Sequence, residues 1–229
     1  MDRRLSAFDL HFHTLHSKDG MNQPRKLFKH MNRVGLRGIA LTEHWRPSIQ
    51  KPIVRNDRFL LPACEFKSTD GGEVIGLFIQ EPIQNRTFVE IAEDIHDQNG
   101  LVILPHPFDI TRKHTAIRRH LPEDIVREHV DLIEGINSRN IINMFNTWAQ
   151  DQAMRLQKPM TAGSDSHSFL EIGHAKTWLQ DIDTPDDVFE ELRKGRTQIT
   201  GHCSFFWVHI PTMIWQRVRR YSKWPIPKI

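Results

Sequence analysis

Between Phe8 and Gly20 the chain reads FDLHFHTLHSKDG, placing His11, His13, His16 and Asp19 within nine residues. Phe8, Leu10 and Phe12 alternate with Asp9, His11 and His13. That alternation predicts a strand with both imidazoles on one face, because successive strand side chains point to opposite sides. Paired imidazoles on a rigid strand suit a metal ion, although two hydrogen-bonded histidines on a polar face would give the same pattern. Ligand-type residues recur downstream: Glu43 and His44 in LTEHW, Glu65 in PACEF, His106 in LPHPF, Asn137 in LIEGINS, and Asp165 with His167 in AGSDSH. Singly, each has a plain reading: His44 caps a strand, His106 sits in a turn, Asp165 and His167 are loop polars. Glu65 resists that treatment, since a carboxylate closing an apolar strand needs a partner. The period of two turns Cys64 the other way, toward the helices, as a small buried apolar group.

Each cluster closes a short apolar run. Strands are predicted at FDLHFH, GIALTEH, FLLPACEF, EVIGLFI, LVILPH, LIEGINS and MTAGSDSH, with KTWLQ a weaker eighth. LVIL and LIEGI read as buried on both sides, as parallel strands are. Amphipathic helices are predicted between them: one from about Pro24 with Leu27, Phe28, Met31 and Val34 on one face, then Thr87–Gln98, Pro122–Val130, Ile141–Leu156 and Pro185–Lys194. The acidic cluster Asp181–Glu191 reads as the start of the last helix, with Thr184 as N-cap and acids in the first turn, in preference to a metal site. Strand–helix alternation argues an α/β fold with a parallel sheet, closed or doubly wound. A barrel gathers its strand ends around one mouth, whereas an open sheet spreads them along an edge. Ligand-type residues at the carboxyl end of strand after strand therefore favour a barrel. Gathered there, they offer donors for two or three metal ions, with Glu65 able to bridge a pair.

At 229 residues the chain suits one domain with an appendage: a metal-binding barrel over residues 1–200 and a tail over 201–229. Of 31 basic residues the tail holds Arg217, Arg219, Arg220, Lys223 and Lys228 and no acid, leaving residues 1–200 slightly acidic. WQRVRRYSKW interleaves Trp215, Tyr221 and Trp224 with cations. Such a segment can pack its aromatics on the barrel, which is the preferred reading. It can also bind single-stranded nucleic acid or lie on an anionic membrane. The apolar-leaning run FFWVHIPTMIW is too short to span a bilayer, and the N-terminus shows no apolar leader core. Two cysteines are too few for a disulfide framework, so a cytoplasmic protein is expected.

Over roughly Phe8 to Thr200, the order and spacing of these motifs resemble the PHP (polymerase and histidinol phosphatase) superfamily of metal-dependent phosphoesterases. DLHFHTLHSKDG resembles its opening HxHT…S-x-DG motif, LTEHW its T-D/E-H motif and PACEF its strand-end glutamate. LPHPF resembles the HP motif and AGSDSH the closing G-S-D-x-H motif. The resemblance implies a distorted seven-stranded (β/α)7 TIM-like barrel with a short C-terminal extension. It also implies two or three divalent metal ions, Zn, Mn or Fe. His11, His13, Glu65 and Asp165 would hold the first, Glu65 would bridge to a second that His106 also binds, and Asp19, His44 and His167 would hold the third. Many members have a histidine where this chain has Glu73; a glutamate can still ligate Zn²⁺ or Mn²⁺, or stand solvated at the strand start.

The implied activity is hydrolysis of phosphate esters of a small metabolite or nucleotide by attack of metal-bound hydroxide. Asp165 would be required for it, and His16 could protonate the leaving group or be idle. Arg112, Lys113 and Arg139 follow strand ends and could hold a substrate phosphate, or be solvated. Asn137 could support a ligand from behind or form a turn, and Trp45 and Phe108 could wall the pocket or pack in the core. Two alternatives stand beside this reading: a non-catalytic metal-stabilised module, and a nuclease-like enzyme that uses the basic tail on nucleic acid.

Overall fold

The computed structural model describes residues 4–84 and 86–221, with Arg220 and Tyr221 described by their backbone alone. Residues 222–229, among them Lys223, Trp224 and Lys228, lie outside the described residues. Ten strands form one sheet: β1 (Leu5–Phe12), β2 (Gly38–His44), β3 (Ile53–Arg55), β4 (Arg58–Lys67), β5 (Glu73–Leu77), β6 (Leu101–Leu104), β7 (Leu132–Asn137), β8 (Met160–Gly163), β9 (Ala175–Gln180) and β10 (Gln198–Gly201). Their order is β10-β9-β1-β2-β4-β5-β6-β7-β8, with β3 paired to β4. Just past β8, Asp165 N donates to His11 O at 2.7 Å and His13 N donates to Ser166 O at 3.0 Å, so the β8 end of the sheet curls back onto β1. The result is the expected TIM-like barrel, nearly closed. A side chain at Gly163 would place its Cβ 2.2 Å from that of His11, so the approach needs glycine there.

The sheet departs from the expected seven parallel strands in two ways. β3 and β10 are additional, and being short and largely exposed they carry no apolar run to announce them. β5 runs antiparallel to both β4 and β6, and β9 antiparallel to β1. Only residues 68–72 separate β4 from β5, far short of the dozen or more that a parallel crossover needs. This reversal matters for the site. It brings the first residue of β5, Glu73, to the same mouth as the last residues of β4.

The barrel interior is filled by Phe59, Leu61 and Ala63 of β4, Ile75 and Leu77 of β5, Leu101 and Ile103 of β6, and Leu132 of β7. Continuing each period of two toward the mouth gives Glu65 on β4, Glu73 on β5 and Glu134 on β7. β1 breaks its own period: Phe8 and Leu10 share the interior cluster, whereas Phe12 packs with the helix that follows. The ladder to β2 shifts register between Asp9 and Phe12, and such an irregularity re-aims the side chains after it. His11 and His13 therefore point into the mouth above Phe8 and Leu10, which strict alternation did not predict.

Helices α1 (Leu27–Val34), α2 (Phe88–Asp97), α3 (Ala116–Arg119), α4 (Glu123–His129), α5 (Asn143–Leu156) and α6 (Pro185–Arg193) surround the barrel. Cys64 packs with Phe88, Ile91 and Ile95 of α2, on the helix side as expected. Val188 and Leu192 of α6 close the barrel floor. The α6 start is a capping box in which Thr184 and Asp187 bond reciprocally, so the acidic cluster there is a helix terminus. A last helix, α7 (His209–Tyr221), crosses the mouth: Trp215 Nε1 donates to Gly20 O at 3.0 Å, and Arg219 donates to Leu15 O and Ser17 O. No helix among the described residues is long and apolar enough to cross a membrane.

Candidate metal centre

Glu65 sits at the centre of the mouth, 3% exposed, within reach of four imidazoles. Its Oε1 lies 3.1 Å from His106 Nε2 and 3.5 Å from His11 Nε2; its Oε2 lies 3.1 Å from His44 Nδ1 and 3.6 Å from His13 Nε2. Asp165 Oδ1 is 3.3 Å from His13 Nε2 and 3.5 Å from His11 Nε2. Asp19 Oδ2 is 3.3 Å from His44 Nε2 and 3.5 Å from His167 Nε2. Asp19 reaches this point from the turn after β1, where Gly20 passes so close to Thr14 that an added Cβ would lie 1.9 Å from its carbonyl oxygen. On the far side Glu73 Oε2 is 3.8 Å from His106 Nε2, and its Oε1 is 3.4 Å from Lys67 Nζ. His106 and Asp165 hold φ at +26° and +51°, conformations that non-glycine residues rarely adopt and that concentrate at functional sites.

This donor set fits divalent transition-metal ions. Two ligand atoms about 2.1 Å from a tetrahedral ion stand roughly 3.4 Å apart, and the site's nitrogen and oxygen pairs fall on either side of that figure. His11 Nε2 and His13 Nε2 face each other at 3.2 Å. Asp165 Oδ1 and Asp19 Oδ1 are buried without a hydrogen-bond partner, in interiors where such atoms are nearly always paired. Four groups of three donors converge: His13, His44 and His167; His11, His13 and Asp165; Glu65, Glu73 and His106; and His11, His106 and Glu134.

Charge follows the same arrangement. Burial opposes ionisation of Glu65, but His11, His106 and His44 hold its carboxyl well below the usual range. Asp165 is likewise held low against burial by Arg112 and His11, and Asp19 by His167 and His44. Burial would depress His11, yet Asp165, Glu134 and Glu65 hold it up to about 10. Burial together with His167 and His44 pushes His13 down to about 3. His44, like His11, is held up against burial, by Asp19 and Glu65. Protons on His11 and His44 thus balance the buried carboxylates, and a bound cation would take over that role as the imidazoles give up their protons to bind it.

The donors open onto a cavity of about 620 Å³. Asp19, His44, Glu65, Asp165 and His167 form its floor; Lys67, Arg112 and Lys113 stand on its wall; His209 and Gln216 of α7 overhang it.

A family model described as PHP-associated matches residues 143–197, the segment that carries Asp165 and His167. An uncharacterized protein of Methanocaldococcus jannaschii is 30% identical over 184 residues, 79% of this chain and 74% of its own. Among solved structures, a two-domain protein of Bacteroides vulgatus containing a predicted PHP-like metal-dependent phosphoesterase superposes with a TM-score of 0.70 at 18% identity. The likeness covers 87% of this chain and 66% of that one. The chain belongs to the PHP superfamily. A lesion-specific endonuclease of Pyrococcus furiosus shares the fold at a TM-score of 0.60 and 15% identity, over 86% of this chain and 58% of its own.

In this PHP barrel the residues singled out by sequence are distributed unevenly. His11, His13, Asp19, His44, Glu65, Glu73, His106, Asp165 and His167 come together. Arg112 lines the cavity but is bonded to Asp109 and Asp165, at 2.9 and 2.5 Å. Lys113 also lines it. Arg139 lines it too, but is largely buried, with its donors taken by Glu171, His209 and Thr212. His16 is half-buried in the loop after β1 and is not among the residues lining the cavity. Asn137 takes both of its expected roles, donating to Glu134 and Asp165 and accepting from the Arg139 backbone. Trp45 is exposed, and Phe108 packs edge-on against Trp148.

Sequence reading passed over Glu134. Its Oε1 lies 3.0 Å from His11 Nδ1, and its Oε2 accepts from His106 N at 2.8 Å. A carboxylate inside the apolar run LIEGI was signal enough, by the argument already used for Glu65. Glu43, noted only for its place in LTEHW, accepts from Thr14 N and Ser17 Oγ and so fixes the loop that carries Asp19.

Proposed function

We propose that the chain is a metal-dependent phosphoesterase acting on small phosphate esters, of metabolite or nucleotide size. The observation that carries this reading is the shared carboxylate: Glu65 lies between His13, His44, His11 and His106 at the floor of a cation-walled cavity. His11, His13, Glu65 and Asp165 would hold one ion, Glu65, His106 and Glu73 a second, and Asp19, His44 and His167 a third. When bound, ions of the Zn, Mn or Fe kind lower the pKa of a water and draw charge from phosphoryl oxygens.

The chain's residues then do the orienting. Glu134 accepts from His11 Nδ1, which leaves the Nε2 lone pair facing the site, and the Asp165 carbonyl does the same for His167 through Nδ1 at 2.8 Å. Arg112 braces Asp165 from the side opposite the imidazoles while its cationic edge lines the cavity with Lys113 and Lys67. These three cations are where phosphate oxygens would rest. Arg139, occupied by Glu171 and α7, ties the roof down instead of meeting substrate. The overhang of His209 and Gln216 limits the substrate to what a cavity of about 620 Å³ admits.

The test is elemental analysis of the purified protein, then a panel of phosphomonoesters, phosphodiesters, amides and lactones with added Mn²⁺ and Zn²⁺. Two or three ions per chain and turnover of small phosphomonoesters are expected, with solvent oxygen appearing in the released phosphate. Less than one ion per chain in protein never exposed to chelator, or amide hydrolysis without phosphoester turnover, would overturn the reading. Cleavage of duplex DNA alone would favour the nuclease-like alternative.

A further inference from the structure

The outer side of α7 and the turn before it take no part in the site, and their amphipathic sense is inverted. Toward the barrel the helix presents Thr212, Trp215 and Arg219, bonded to Arg139, to Gly20 O and to the Leu15 and Ser17 carbonyls. Toward solvent it presents Ile210, Met213 and Ile214, between 49% and 63% exposed. At 100° per residue Ile210, Met213 and Ile214 fall on one stripe, with Arg217 within it. Phe205, Phe206 and Trp207 extend the stripe, each more than half exposed, and the Phe205 and Trp207 rings stack at 4.5 Å. An apolar surface of this extent marks an interaction site.

Three observations identify what covers it. Arg217 stands within the stripe, and residues 201–229 hold no acid to pair with it, while residues 1–200 are slightly acidic, so the charge at the stripe favours an anionic partner. Apolar side chains, Ile210, Met213 and Ile214, dominate the helix stripe, and they gain from hydrocarbon and nothing from a phosphate backbone. Binding of single-stranded nucleic acid rests on aromatics interleaved with cations, whereas here the exposed aromatics cluster in the turn at 205–207. A second copy fits less well, because residues 201–229 hold no acid to pair with Arg217 of the other copy. Arg217 can instead extend its guanidinium past the apolar stripe to a lipid headgroup. We propose that α7 and its preceding turn form an interfacial anchor that seats the protein on a bilayer rich in anionic lipid, while the inner face of the helix stays bonded to the barrel.

The full chain, metals in place, is sedimented with vesicles of phosphatidylcholine containing about one third phosphatidylglycerol, and with vesicles of phosphatidylcholine alone. Pelleting with the anionic vesicles, weaker with the neutral ones and falling with added salt, is expected. The double variant Ile210→Asp, Ile214→Asp should abolish it, and Arg217→Glu should weaken partitioning about thirtyfold, two charges at roughly tenfold per 1.4 kcal/mol and about 1 kcal/mol each. Both variants should keep the wild-type metal content and melting temperature, since all three side chains are exposed. Trp207→Phe should remove most of the vesicle-induced blue shift in fluorescence. Failure to pellet with anionic vesicles overturns the proposal, as does pelleting that survives the double variant. It is also overturned if that variant instead abolishes a dimer seen by light scattering, or abolishes binding to single-stranded DNA.

Discussion

Two glutamates of the site illustrate how position turns one functional group to two uses. Glu65 faces the imidazole nitrogens that a metal would take, whereas Glu134 faces His11 from behind, at the ring nitrogen turned away from the site. Glu134→Gln keeps the shape but replaces a carboxylate that accepts from His11, His106 N and Asn137 with an amide that must also donate. Metal affinity is expected to fall about 10- to 100-fold, as it does when a ligand histidine loses its carboxylate partner, with far-UV dichroism unchanged; competition against a chelator measures it. Undiminished affinity would reduce Glu134 to a packing residue. Glu73 stands where the resemblance expects histidine, 7% exposed and between Lys67 and His106. Glu73→Ala should lower occupancy of one site, and Glu73→His should preserve it while shifting preference from Mn²⁺ toward Zn²⁺. Equal metal content in all three proteins would leave Glu73 as the partner of Lys67. The ligands at strand ends were legible because each interrupts an apolar run at a motif. Glu134 was legible by the same rule, whereas Asp9 was not, because what it partners lies far along the chain. Asp9, pushed up to about 7 by burial despite bonds from Ser164, joins β1 to a segment 155 residues away.

At the level of elements, the long apolar strands and capped helices were readable from local pattern, and β2 begins and ends where its motif does. Direction was not readable, because a strand's own sequence carries no mark of which way its neighbour runs; only the short link between β4 and β5 did. α7 was obscured for another reason: its polar face meets the barrel and its apolar face meets solvent, the reverse of what periodicity assumes. Of the aromatics expected to pack on the barrel, Trp215 meets it, through its bond to Gly20 O. The docked helix also carries a pH signature. Burial, with Arg139 and Arg112 nearby, pushes His209 down to about 4 against smaller opposition from Asp165, while His167 adds to the depression. The neutral ring is the docked form, since its Nδ1 accepts from Arg139 at 3.0 Å. Released from the barrel, His209 would bind a proton near its ordinary value of about 6.5. Docking is therefore complete above that pH and weakens as pH falls from about 6.5 toward 4. Hydrogen exchange of α7 amides, corrected for intrinsic rates, should rise over that interval in the wild type and not in His209→Gln. A flat wild-type profile would show that His209 does not couple to docking.

On the scale of the whole molecule, one helix lies across the barrel mouth, with His209 and Gln216 lining the cavity. The loop after β1 that carries Asp19 and the α7 roof are joined by three backbone carbonyls: Gly20 O receives Trp215, and Leu15 O and Ser17 O receive Arg219. Each such bond contributes about 1 kcal/mol net, and bonds from a charged guanidinium rather more. Trp215→Phe combined with Arg219→Ala therefore removes on the order of 3 to 5 kcal/mol of docking free energy without touching any proposed ligand. Arg139 would still hold His209 and Thr212, so the helix is expected to hinge open at its far end and not to detach. Because the floor donors other than Asp19 lie at or just past strand ends, and Glu43 still fixes the loop that carries Asp19, metal content should stay at the wild-type level. Turnover of a small phosphomonoester should change little, while turnover of a bulky phosphodiester excluded by the roof should rise, moving the diester-to-monoester ratio upward by tenfold or more, since about 1.4 kcal/mol suffices for that factor. The ratio of kcat/KM values measured on both substrates decides the matter. If metal is lost together with activity on both, the bonds from α7 serve to hold Asp19 and its loop in place, and the limit on substrate size lies in the barrel itself.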